Sequence, residues 1–145
     1  MITVAIVGLL ATVAIPLGRT ATQRMRESDL RAALREIRTA LDDYHQAAAD
    51  GRIPMEVGSS GFPPTLDALV NGVEDAKDPK KAKIYFLRRL PRDPFFPDGS
   101  AAASVTWGLR SYSSPPDDPQ PGEDVYDVHS LAKGAGLNGV PYREW

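Results

Sequence analysis

The chain has 145 residues, with 17 Lys plus Arg against 19 Asp plus Glu, for a formal net charge of -2. A charge so near balance provides no global basic field for nucleic acid, and 42% hydrophobic with 25% charged residues is the composition of a folded protein, not a disordered one. The absence of cysteine excludes a disulfide framework, thiol catalysis and cysteine-ligated zinc.

Residues 1–18 (MITVAIVGLLATVAIPLG) carry no charge, and the first charged side chain is Arg19. As a helix this run reaches about 26 Å, slightly short of a hydrocarbon core of about 30 Å. No basic region precedes it, so a membrane anchor is preferred over a removable signal peptide. By the positive-inside rule Arg19, Arg24 and Arg26, taken alone, would place the following part in the cytoplasm. Pro16 predicts a kink near the end of the run. Residues 19–50 then hold six Arg and six acidic side chains and no proline. Leu30, Leu34, Ile37, Leu41, Tyr44 and Ala48 recur at spacings of three and four, which draws one apolar stripe along a helix. Gly51 is the expected C-cap, and Pro54 bars continuation.

Beyond residue 50 lie twelve of the thirteen prolines, so the chain there is built of short segments. A short helix is expected over 62–70, closed by Asn71 and Gly72. Residues 84–90 read as either strand or helix, since Tyr85, Phe86 and Leu87 are consecutive. The alternation in 104–112 (SVTWGLRSY) predicts a strand, and 124–131 (DVYDVHSL) predicts a second. These two antiparallel strands, with a third near Tyr85 as an option, would pack one face on the helix stripe. The predicted fold class is therefore α+β. Residues 1–18 form an apolar helix, 19–50 its amphipathic continuation, and 51–145 a head with a small antiparallel sheet.

Between the strands Asp117, Asp118, Glu123, Asp124 and Asp127 fall within eleven residues. Hard oxygen ligands in an irregular loop suit calcium, whereas Pro115, Pro116, Pro119 and Pro121 offer rigid turns that hold such a loop without an ion. Other patterns carry less. The letters GxGxxG at 134–139 lack a following helix to receive a pyrophosphate and read as a turn. His45 and His129 stand in no metal or nucleophile motif. Lys77, Lys80, Lys81, Lys83, Arg88, Arg89 and Arg92 form a basic cluster read as a solvated face, with a partner-facing or lipid-facing patch as the alternative. Trp107 and Trp145 are expected to pack.

The run ITVAIVGLLATVAIP followed directly by a long amphipathic helix resembles the N-terminal segment of type IV pilin-like proteins. The later order PPTLDALV, YFLRRLPRDP, a tryptophan-containing strand, an acidic loop and Trp145 resembles the major pseudopilins of bacterial type II secretion systems. These similarities span most of the chain. Members of that family begin with an aromatic residue after leader removal and carry a glutamate four positions later. On that resemblance about six mature residues and a basic leader are expected upstream of Met1. Their charge would reverse the topology, placing the head in the periplasm on a single pass through the inner membrane. Where this chain reads PRDPFF, members often have Trp-Gly after Asp-Pro.

The resemblance implies a pilin-like, non-enzymatic subunit of the pseudopilus that self-associates through its N-terminal helix into a periplasmic filament supporting protein export. It implies as partners other pseudopilins, the inner-membrane secretion assembly proteins and membrane lipid, without nucleic acid, and places the energy source in a separate cytoplasmic ATPase. It also implies calcium at the acidic loop, with Asp117 or Asp118 and Asp124 nearest the matching positions and Asp127 beside them. The alternatives are a type IV pilus subunit or minor pilin, or a membrane-tethered ligand-binding or enzymatic module.

Overall fold

The computed structural model describes the main chain of residues 2–145 and the side chains of residues 4–8 and 18–145. The fold is α+β. One helix, α1 (Ile2–Ala49), runs 48 residues, or about 72 Å. Among the described residues its buried positions begin at Glu27 and continue through Leu30, Leu34, Ile37, Leu41, Tyr44 and Ala48, the stripe read from the sequence. Ala33, Ala40 and Ala47 flank that stripe, and their small side chains let the head approach the helix backbone closely. The expected kink at Pro16 and most of the apolar run 1–18 lie outside the described side chains. Among the described residues no helix is long and apolar enough to cross a membrane.

The end of α1 is a Schellman motif. Gly51 takes φ 72°, its N–H donates to the Ala48 carbonyl at 3.0 Å, and the Arg52 N–H donates to the Ala47 carbonyl at 2.9 Å. The reversal buries Ile53 and turns Arg52 onto Asp75, with an Nη2 to Oδ2 distance of 2.7 Å.

The short helix α2 (Asp67–Asn71) starts later than expected. Leu66, at its N-cap, makes no side-chain cap hydrogen bond, and Pro63 and Pro64 precede the helix without joining it. Leu69 is fully buried, and its carbonyl accepts from both Phe86 N and Leu87 N, each at 3.0 Å. Strands β1 (Val73–Glu74) and β2 (Lys83–Ile84) make one antiparallel pair, and β3 (Trp107–Arg110) and β4 (Asp127–Ser130) make another.

The optional third strand near Tyr85 therefore belongs to a separate small sheet. Pro91 and Pro94 follow it closely and prevent a ladder long enough to reach β3. The predicted strand at 104–112 is shorter than its alternation, because Ala103–Thr106 form a 3-10 turn and pairing begins at Trp107. The register sets Trp107 opposite Ser130 and Leu109 opposite Val128. Trp107, Val125 and Val128 meet the helix stripe in a single core with Leu69 and Leu87. Gly108 is required where it stands, because a Cβ there would collide with the His129 ring on the opposite strand.

Candidate functional site

The head is joined to α1 at two polar contacts on the side of the stripe. At the lower one Glu27, 3% exposed, accepts through Oε1 from Gln23 Nε2 at 3.1 Å, Leu137 N at 2.9 Å and the Tyr142 hydroxyl at 2.9 Å. Burial raises the pKa of this carboxyl, but the three hydrogen bonds and the nearby Arg31 outweigh it, so the net shift is downward. Burial pushes the Tyr142 hydroxyl up from its ordinary value and keeps it a donor. The Tyr142 ring stacks on Phe95 at 4.3 Å and meets Trp145 edge-on at 5.1 Å, while the Arg31 guanidinium lies 4.1 Å from the Trp145 ring centroid. Higher up, Arg38 Nε donates to Asp127 Oδ1 at 2.8 Å, and Arg38 Nη2 donates to the main-chain oxygens of Val128 at 3.3 Å and Trp145 at 2.8 Å. One guanidinium thus ties the helix to β4 and to the C-terminal segment. Sequence reasoning missed both contacts. For Glu27 the signal was present, since it sits three positions before Leu30 and continues the apolar stripe.

The segment LPRDP works as an internal latch. Asp93, 2% exposed, accepts from Ser130 Oγ at 2.5 Å and Phe95 N at 2.8 Å, its own N–H donates to Thr106 Oγ1 at 3.2 Å, and Trp107 Nε1 donates to the Pro91 carbonyl at 2.9 Å. Arg92 turns back to the carbonyls of Asp98 and Ala101, which removes it from the basic cluster. Lys77, Lys80, Lys81, Lys83, Arg88 and Arg89 are exposed. The segment 134–139 is a turn, as expected: Gly139 N donates to the Gly136 carbonyl and Ala135 bridges Pro141.

The acidic loop is closed by its own polar groups. Ser111 N donates to the Gln120 carbonyl at 2.9 Å, Gln120 N to Ser114 Oγ at 2.7 Å, and Ser114 Oγ to the Asp118 carbonyl at 3.1 Å. Asp117, Asp118 and Glu123 are exposed, and Asp118 accepts from Gln120 Nε2 at 2.9 Å. Asp124 accepts from Ser60 Oγ and, at 2.8 Å, from Tyr112 N, while Asp127 faces Arg38. As placed, these carboxylates do not form a cage: among the described residues no group of three or more His, Asp or Glu side chains converges to hold a metal ion.

Two exposed features remain. At the start of α1 the side chains of Val4, Ile6 and Val7 are 76%, 53% and 66% exposed, a degree of apolar exposure that single folded chains avoid when it is contiguous. Below the head a groove of about 700 Å³ opens between the helix and the C-terminal segment, walled by Arg19, Gln23, Arg26, Phe95 and Tyr142. Comparison with protein-family models, curated proteins and solved structures returns no match.

Proposed function

We propose that the chain is a pilin-like structural subunit that assembles through its N-terminal helix into a periplasmic filament of the type II secretion pseudopilus. The observation that carries this reading is the mismatch between helix and head. Among the described residues burial on α1 starts at Glu27, so about 25 residues, or about 37 Å of helix, precede the covered stripe, with the apolar side chains of Val4, Ile6 and Val7 exposed at the far end. A lone head gains nothing from such a helix. Neighbouring copies packed side by side would bury it, first against lipid in the inner membrane and then against each other as a subunit leaves the bilayer. Contacts that do not close on themselves then propagate a helical filament. In this reading the work is done by packing, and the head is a rigid body latched to the upper half of the helix. Calcium at Asp117, Asp118, Asp124 and Asp127 belongs to the same proposal, and an ion entering there must exchange places with the present partners of Asp124 or Asp127.

Ile6→Arg tests the reading. It places a charge in the exposed apolar segment, away from every described contact of the head. Filament formation and cross-linking between full-length copies are expected to be lost while the head keeps its melting temperature. Filaments unchanged by this substitution would refute the proposal.

A further inference from the structure

Arg19 and Arg26 stand seven positions apart on α1, and Asp43 stands seven before Asp50, the residue that follows the helix and still donates its N–H to the Gln46 carbonyl. Each pair lies along one face of the helix, since seven residues make almost two turns. The offset from Arg19 to Asp43 equals that from Arg26 to Asp50, 24 residues in both cases. Within one copy these charges are about 36 Å apart and do not meet. Among the described residues neither arginine has an ion-pair partner, although both line the groove below the head. Asp43 and Asp50 are exposed near the top of the helix, and Asp50 accepts from Gln46 Nε2 at 2.9 Å and lies in the field of Arg52, which also pairs with Asp75. The two faces are turned about 120° from each other around the helix axis.

From this we infer that the groove receives the upper helix of a second copy, displaced by 24 residues, with Arg19 and Arg26 of one subunit paired to Asp43 and Asp50 of the next. The inference rests on the filament reading and adds its register. Because donor and acceptor faces differ, the contact is heterologous and leaves both faces free at the ends of any row, as a growing filament requires. Gly134 and Ala135 on the groove wall present little side-chain bulk, so a helix can approach Phe95 and Tyr142. Asp29, Glu36, Asp43 and Asp50 recur every seven residues, so the same arginines also face carboxylates at offsets of 10 and 17, but only at 24 does the incoming helix, which ends before Gly51, stop below the head contact at Glu27.

The chain has no cysteine, so introduced pairs report cleanly. Thr22 and Gln46, both exposed and 24 positions apart, flank the two charge pairs. They are too distant for a disulfide within one copy, which needs Cα atoms within about 7 Å. Full-length Thr22→Cys/Gln46→Cys is expected to oxidise into a ladder of multimers, whereas Thr22→Cys/Thr39→Cys is not. Adding Arg19→Glu and Arg26→Glu should abolish the ladder, and further adding Asp43→Arg and Asp50→Arg should restore it. Failure of that restoration would overturn the inference. Sedimentation of the full-length protein, with Ile6→Arg as its control, serves as the independent reporter. If multimers sediment while the 24-residue pair does not cross-link, the register is wrong and the filament reading stands. If no multimers form, the filament reading falls and the register with it.

Discussion

Replacing Glu27 with glutamine leaves a side chain of nearly the same shape but removes the charge that three donors and Arg31 favour. The folded pKa of Glu27 lies below its ordinary value of 4.5, so its stabilising contribution is complete above that pH and fades as pH falls through the folded value. A fragment 19–145 carrying Glu27→Gln should therefore melt at lower temperature than its parent at pH 7, by a difference that narrows as pH falls below 4.5, read by circular dichroism. A constant difference across that range would detach the effect from ionisation. At the acidic loop two accounts predict different melts. Calcium binding to the folded head would raise the melting temperature by mass action, reversibly with a chelator, and magnesium would do less because its small octahedral shell keeps its waters. That calcium-specific rise is the expected result of the proposal. Indistinguishable curves would assign the loop to its prolines and to Ser60, Ser114 and Tyr112 alone. In either case Asp124→Ala should cost about 1 kcal/mol, since it removes the acceptor of the Ser60 hydroxyl and the Tyr112 N–H at a site where water can partly take its place.

At the level of elements, α1 is held by its stripe and stopped by Gly51. Gly51→Ala forces a Cβ into a left-handed backbone and should cost about 1 kcal/mol in denaturant unfolding without altering the secondary structure. A neutral result would mean that the Schellman turn relaxes. Ile37 is fully buried in the core, and Ile37→Ala should cost about 2–5 kcal/mol, far more than any exposed change on the same helix. The strands contribute little by themselves, because each has only two to four residues. Their role is to seat Trp107 and Val128 on the helix and to place Ser130 where Asp93 can accept its hydroxyl.

For the whole molecule, head and lower helix are separable: among the described residues, the hydrogen bonds between helix and head lie at Gln23 or beyond. The fragment 19–145 should accordingly fold as a monomer with the head intact, measured by light scattering and near-ultraviolet circular dichroism. A fragment that unfolds would show that the first 18 residues support the head directly.

How much of this was legible in the sequence follows from the range of the forces involved. The helix, its buried stripe and its stop at Gly51 were readable because periodicity and backbone handedness act over a few residues, and the same holds for the turn at 134–139. The lengths of the strands were not, since the alternation over 104–112 is a local signal whereas pairing depends on where the opposite strand ends. Nor was the fate of the carboxylates. Asp93, Asp124 and Asp127 look equivalent as letters, yet their partners Ser130, Ser60 and Arg38 lie 37, 64 and 89 positions away. Only the closed fold brings such groups within hydrogen-bond reach, because the cost of burying a polar atom is met by whichever partner the tertiary packing supplies.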